Sequence, residues 1–599
     1  MFNHYYLCQY VRKRQEVVKF FIENPDSNIC YGNNETPLYW ATHMGQIEIV
    51  QLLLTHKSDP NVCYKNSISL LVCFIWGYTE IVKLLLHHNC DPNICSKDNE
   101  SALFVACSSF SSYTDIVKLL LDHKCDPNIC NKDNESPLFV ASQKGHIENV
   151  KLLLDYKCDP NICNKDNKSA LFVACSSFCN CTDIVKLLLD HKCDPNICNK
   201  DSVSPLSTAS TFGLIDIVKL LLDHNCDPNI CNKDSVSPLS TASTVGHIDI
   251  VKLLLDHNCD PNICDKDNKS PLFFASRWGH TQILKLLLAQ NCDPNICNKD
   301  NESPLFVASQ QGHTENVKLL LDYKCDPNIC NKDNESALFV ACSSFWNCTD
   351  IVKLLLDHKS DPNICNKNNK SPLFVCASKR CNIDIVKLLL DHKSDPNICN
   401  KNNKSPLFVA CASKRCNIDI VKLLLDHKSD PNICNKNNKS PLFVACASKR
   451  CNIDIVKLLL DHKSDPNMSC ASKRCNIDIV KLLLDHKSDP NMCNKNNKSP
   501  LFVACASKRC NIDIVKLLLD HKSDPNMCNK DNESPLFVAC ASIGLLDGFS
   551  KFVFHYDNKL NLPDTFQNHI EIMKLLLDHN CDPNICNKDN TSPLYLWHH

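Results

Sequence analysis

At 599 residues the chain is several times the size of an ordinary domain, which excludes a single compact core. Apolar residues make up 44% and charged residues 22%, an ordinary balance for folded protein. The formal net charge of −2 excludes a global pull toward nucleic acid or an anionic membrane. Composition does not change along the chain as it would across a linker between unlike domains, which favours one elongated repeat array.

Residues 1–30 open with MFNHYYLCQYVRKRQEVVKFF, which has no apolar h-region and no small-residue cleavage site, so it does not read as a signal peptide. This segment is read as an N-terminal capping repeat. The longest apolar run, 68–78, is about half the ~20 residues a membrane helix needs. These features predict a chain without a membrane span in the cytoplasm, with the nucleus as second compartment. Its 44 cysteines are then mostly free thiols.

From residue 31 to 466 one pattern recurs. The tripeptide Asp-Pro-Asn returns sixteen times in the whole chain, with its proline at Pro60, Pro92, Pro127, Pro160 and onward to Pro583, mostly 33 or 35 residues apart. Asn131–Cys163 is one clean unit. Asp133-Asn134 suits a tight turn, because Asn tolerates the left-handed conformation. Ser136-Pro137 starts a first helix, with Ser as N-cap and Pro at the first helical position, and Leu138, Phe139, Val140 and Ala141 fill its first turn. Gly145 ends that helix. A second helix begins near Ile147 and buries Val150, Leu152, Leu153 and Leu154, until Pro160 stops it. Neither helix is long enough to be stable alone, so each unit buries its leucines only by stacking on the next.

This pattern resembles the ankyrin repeat, whose T-P-L-H-x-A hallmark stands here as Thr36-Pro37-Leu38-Tyr39-Trp40-Ala41 and Ser136-Pro137-Leu138-Phe139-Val140-Ala141. The resemblance covers essentially the whole chain. It implies an all-α repeat solenoid of helix-turn-helix units with short β-hairpin or turn fingers. Sixteen units at ~10 Å each make a curved rod of roughly 160 Å. Two departures matter. The hallmark His is Phe or Tyr, and the Gly expected after the second helix is Lys157 or Asn225, which puts a left-handed side chain there at about 1 kcal/mol for Lys.

Three places break the rule. Many units gain two residues between the helices, as at 108–114 and 378–383, and lose the helix-ending glycine; a longer surface loop is expected. Only 24 residues separate Pro466 from Pro490, so the 467–540 stretch continues after a repeat that lacks its first helix, and a kink or break is expected. Pro525 and Pro583 are 58 residues apart, and 541–568 reads as a non-repeat insertion carrying Phe549, Phe552, Phe554 and Tyr556. It is expected either to pack on the array or present a loop, with an error in the predicted gene as the rival account of it and of the short repeat. Residues 569–599 form a final incomplete repeat whose apolar end suggests a chain that continues.

Candidate chemistry is sparse. The recurring C-x4-C of Cys125 and Cys130 lies within zinc-ligand spacing. The first cysteine becomes Ser360, Ser394, Ser429, Ser464, Ser488 and Ser523 in later units, so small buried filler is the stronger reading and no metal is expected. Asn-x-Ser triplets such as 134–136 are turn and cap chemistry rather than glycosylation sites. The chain has 10 glycines and no phosphate-binding loop, so no cofactor is expected. His123, His191 and His257 recur near second-helix C-termini, a structural position. No constellation outside the repeat converges on a pocket, so an enzyme is not expected.

Charge is more informative. The unit Asn131–Cys163 carries four lysines against five acids, whereas Asn400–Cys434 carries six basic residues against three acids. Lys379-Arg380, Lys414-Arg415, Lys449-Arg450, Lys473-Arg474 and Lys508-Arg509 recur as a loop ladder, which suits an acidic protein, phosphoinositide or RNA. Recent duplication of one ordinary unit is the plainer account of that ladder. Phe178, Trp278 and Trp346 occupy the same loop in other units and suit a protein-binding edge.

The family resemblance implies protein–protein recognition through the fingertips, Asp133, Asn134 and Glu135 and their equivalents, and through the exposed side of the first helix. Other proteins are therefore the expected partners, nucleic acid or anionic lipid the lesser alternative, and no oligomer is implied. The resemblance also implies that Asn128 or Asn161 suits an asparaginyl hydroxylase. The alternatives kept are the ankyrin portion of a larger receptor, channel or ubiquitin-ligase adaptor, and an anion-binding scaffold.

Overall fold

The computed structural model describes residues 36–61, 77–109, 111–176, 181–344, 348–378, 382–413, 418–447, 453–468, 476–494, 496–506, 511–544, 564–593 and 595. The chain divides into two compact units, 1–299 and 300–599. Both are built from the same pair of helices repeated. Among the described residues there are 30 α-helices and no strand. The fingers are turns, with one β-bridge between Cys330 and Ser336.

In the repeat Asn131–Cys163 the first helix spans Pro137–Lys144 and the second Ile147–Asp155. Ser136 holds extended backbone, and its Oγ accepts the Phe139 N–H at 3.1 Å, supplying one of the bonds the helix cannot make for itself. All residues from Pro137 to Ser142 are buried, and Gly145 closes the helix at φ 77°. The second helix has no side-chain N-cap and buries Val150, Leu153 and Leu154. Leu152, expected in the core, is only half-buried, because 100° per residue turns it away from the stripe formed by Val150, Leu153 and Leu154.

The second helix ends as its departure from the family pattern requires. Lys157 takes φ 62°, its N–H reaches the Leu154 carbonyl at 2.9 Å, and the Cys158 N–H reaches Leu153 at 3.1 Å. This pair of bonds defines a left-handed cap, normally a glycine position. Lys or Asn holds it in the other described repeats too, for example Lys124, Lys192, Asn225, Asn258 and Lys324.

Within the first unit, Pro137–Lys144 packs between Ala102–Ser108 and Ala170–Ser176, while Ile147–Asp155 packs between Thr114–Asp122 and Thr182–Asp190. First helices thus stack on first helices and second on second, with the core between the layers. Phe139, Phe273, Phe306 and Phe502 are fully buried at the hallmark His position, as apolar packing requires. Among the described residues two repeats depart from the Phe-or-Tyr expectation, carrying Ser207 and Ser240 there instead.

The repeats with two extra residues keep their place in the stack. Ala102–Ser108 ends one residue earlier than its glycine-capped neighbour, and Ser109 leaves in extended backbone at φ −62°. In that repeat the extra residues enter the connection between the two helices, where Ser112 Oγ reaches Asn149 Oδ1 of the next repeat at 3.3 Å.

The short repeat does not break the array. Ile453–Asp461 packs directly on Ile477–Asp485, and the Asn467 side chain accepts the Asp489 N–H at 2.6 Å. The expected break is corrected for a physical reason. The missing segment comprises a finger and a first helix, so the second-helix row closes over the gap. The cost falls on the other layer, where Phe443 is half-buried although its counterpart Phe408 is buried.

At the long insertion, Pro535–Gly544 packs on Asp564–Asp578 as a first helix packs on its second. Ile570 stands in register with Ile147, so the later helix begins six residues before the usual start. The Asp582 N–H still reaches the Asn526 side chain at 2.7 Å, joining consecutive repeats across the inserted chain. Residues 545–563, with the four aromatic residues singled out above, lie outside the described residues.

Candidate recognition surface

Most described fingers are organised by one asparagine, with Asp265 and Ser96 taking its place in two of them. Asn131 Oδ1 accepts the N–H groups of Asp133 and Glu135, both at 2.9 Å, and its own N–H donates to the Glu135 carbonyl at 3.0 Å. The turn then demands a left-handed residue, and Asn134 supplies it at φ 61°.

Four rows of contacts tie one repeat to the next. Asn134 Nδ2 donates to the Cys163 carbonyl at 2.6 Å. The Lys165 N–H donates to the Asp133 carbonyl at 2.8 Å, and the Lys165 ammonium lies 3.5 Å from the Asp133 carboxylate. The asparagine of Asp-Pro-Asn forms the third row: Asn128 Oδ1 accepts the Asp159 N–H, and Asn161 Oδ1 accepts the Asp194 N–H, each at 2.8 Å. Histidines form the fourth. His191 Nδ1 donates to the Leu187 carbonyl at 2.9 Å, while Nε2 lies 3.9 Å from Asp155 of the preceding repeat.

The predicted recognition residues therefore differ in what they leave for a partner. Asp133 and Asn134 are exposed at the fingertip, but the Asn134 amide is engaged between repeats. Glu135 is half-buried and accepts Asn131 Nδ2 at 2.9 Å. Trp278 ends its helix, 56% exposed, just before Gly279. Phe178, Trp346 and all five Lys-Arg pairs of the loop ladder lie outside the described residues, as does the 1–30 cap.

Sequence reading missed the neighbours of Trp278. Phe212 and Val245 hold the same position in the two preceding repeats and are also exposed, as are Ile215 and Ile248 at the start of the second helices. The signal was present: each is an apolar residue immediately before a helix-ending glycine, or two after it.

The buried thiols at the Cys125 position are unactivated. Burial, reinforced by Asp126, pushes Cys125 up to about 12, and Cys158 and Cys193 sit equally high for the same first cause. Ser360, Ser394 and Ser429 fill the same buried slot in later repeats. No group of three His, Cys, Asp or Glu side chains suited to a metal occurs among the described residues. No helix there is long and apolar enough to cross a membrane.

Stacked turn–helix–helix units held by these rows define a helical repeat protein whose surface is a file of fingertips and helix ends. A family model described as ankyrin repeats (3 copies) matches residues 5–95, 69–163, 103–199, 156–232, 206–297, 282–366, 349–435, 373–470 and 468–564. A single ankyrin repeat matches 565–588, and the chain belongs to the ankyrin-repeat family. No curated protein matches the chain. Ankyrin repeats are generally protein-interaction modules, and the family is typically non-catalytic.

Proposed function

We propose that this chain is a non-catalytic scaffold that holds other proteins in the cytoplasm. The observation that carries this reading is the exposed apolar row Phe212, Val245 and Trp278, repeated at one position in three consecutive repeats. Such residues cost solubility unless a partner covers them, and aromatic residues of this kind form the anchors of protein interfaces.

The test is a pull-down with the full chain, washed at low and at high salt, with captured proteins identified by mass spectrometry. The scaffold reading expects proteins that survive high salt and are lost from a Phe212→Ser, Trp278→Ser variant. Capture that is indifferent to both substitutions would sink this assignment of the surface.

A further inference from the structure

We infer that the fingertips of repeats 366–439 form a cationic stripe that binds an extended acidic segment of a partner protein. This inference rests on the scaffold reading and names the chemistry of one partner.

The stripe arises from a change in the Lys–Asp row. In the first unit the fingertip lysines from Lys132 onward are paired with the aspartate of the preceding finger: Lys132–Asp98 at 3.0 Å, Lys165–Asp133 at 3.5 Å, Lys200–Asp166 at 3.7 Å and Lys233–Asp201 at 3.6 Å. The second unit begins the same way, with Lys332–Asp300 at 3.5 Å and Lys367–Asp333 at 3.6 Å. Then the acid disappears from the sequence. Asn368, Asn402, Asn437 and Asn496 stand where the earlier fingers have Asp.

The backbone contact survives the substitution. The Lys401 N–H donates to the Asn368 carbonyl and the Lys436 N–H to the Asn402 carbonyl, both at 3.1 Å, and the Lys530 N–H donates to Asn496 at 3.2 Å. Each lysine is therefore still placed over the preceding finger, now above an amide. Among the described residues, Lys401, Lys436 and Lys530 have no carboxylate partner, and all three are exposed. The row regains its pair only where the acid returns, at Lys588–Asp531, 3.4 Å.

A second lysine joins each finger. Lys404 and Lys439 occupy the Glu135 position, and their ammonium groups are held 5.6 and 5.0 Å from the Phe408 and Phe443 ring centroids. Cation–π contact fixes these charges at the finger base, beside the first helix, without neutralising them. Consecutive fingers thus present Lys401 with Lys404, then Lys436 with Lys439.

Geometry selects the ligand. Repeats stack roughly 10 Å apart, and an extended chain rises about 3.3 Å per residue, so every third residue meets a new finger. An extended Glu- or Asp-rich segment matches that period. Lysine is a compact point charge and does not offer the planar fork that reads phosphate bidentately. The fingertips also lack the exposed aromatic platforms on which single-stranded bases stack. Both features favour carboxylates over nucleic acid.

The test uses the full chain and a fluorescein-labelled oligoglutamate of about 12 residues, enough to span four fingers at that rise. Binding is followed by anisotropy at two salt concentrations. The key variant is Asn368→Asp, Asn402→Asp, Asn437→Asp, which restores the acid that other fingers carry and so should fold. The proposal expects oligoglutamate binding by the parent, weakened by salt and at least tenfold weaker in the triple variant. Unchanged affinity in that variant overturns it. So does loss of binding only when the loop pairs Lys379-Arg380, Lys414-Arg415 and Lys449-Arg450 become alanine. Tighter binding of poly(U) or of phosphatidylserine vesicles than of oligoglutamate also overturns it. Salt-resistant protein capture without oligoglutamate binding removes the stripe and leaves the scaffold reading standing. Finger-dependent oligoglutamate binding with an empty pull-down supports the stripe and removes that reading.

Discussion

Asn149 offers a direct measure of how a single repeat contributes to this array. It is 0% exposed, on the face of the second helix where Ile116 and Ile184 stand in the adjoining repeats. Its Oδ1 accepts Ser112 Oγ at 3.3 Å, and its Nδ2 has no acceptor among the described residues. Asn149→Ile removes a buried unpaired donor, worth about 1–3 kcal/mol, at the loss of one long hydrogen bond worth about 1 kcal/mol. The new side chain adds about 1.5–3 kcal/mol of apolar burial in a slot shaped for isoleucine. Allowing for imperfect fit, a net stabilisation of about 2 kcal/mol is expected, an approximately 30-fold change in an opening equilibrium. The assay is amide hydrogen exchange followed by mass spectrometry on peptides covering 137–155, because stability in a repeat array is local and one melting temperature is poorly defined. Exchange should slow by about that factor there and be unchanged several repeats away. The reciprocal Ile184→Asn should speed exchange over 170–190. Faster exchange in Asn149→Ile would refute the packing argument.

Glycine positions separate backbone strain from steric crowding. A Cβ on Gly246 would meet His280 Cε1 at 2.6 Å, whereas Gly145 has nothing within 4 Å, and both have positive φ. Gly145→Ala should cost about 1 kcal/mol and Gly246→Ala clearly more, read as the difference in local exchange; equal costs would show that the histidine ring moves freely. Lys157→Gly relieves a left-handed side chain at φ 62° but frees the unfolded chain, so a gain of about 0.5 kcal/mol is expected by the same measurement, and a loss would contradict the cap assignment. The buried thiols make the fold sensitive to alkali. Unfolded cysteine loses its proton near pH 8.5, while burial holds Cys125, Cys158 and Cys193 up to about 12. The native state therefore binds more protons across that window, and stability is full below about pH 8.5 and falls as pH rises toward 12. Circular dichroism against pH should show this loss, reduced in a Cys125→Ala, Cys158→Ala, Cys193→Ala variant; an identical alkaline midpoint would refute the thiol assignment.

Much of the repeat was legible because its signals are local. Ser136-Pro137 and Gly145 mark a helix start and stop through backbone chemistry within a few residues, and the Val150, Leu153, Leu154 spacing marks a buried stripe. The left-handed Lys157 was equally readable, since the family pattern requires that conformation whatever residue stands there. Charge reading was local too, and it drew attention to the conspicuous Lys-Arg pairs of the loops. It passed over Asn368 and Asn402, since a missing charge is informative only beside the residue it fails to neutralise.

That neighbour lies one repeat away, as do the partners of Asn128, Asn134 and His191. Tertiary structure alone decided that the short repeat closes its second-helix row, and that Asn149 is buried in an isoleucine slot. Periodicity along one chain determines which faces are apolar. What each face meets depends on the offset between successive units, which only stacking creates.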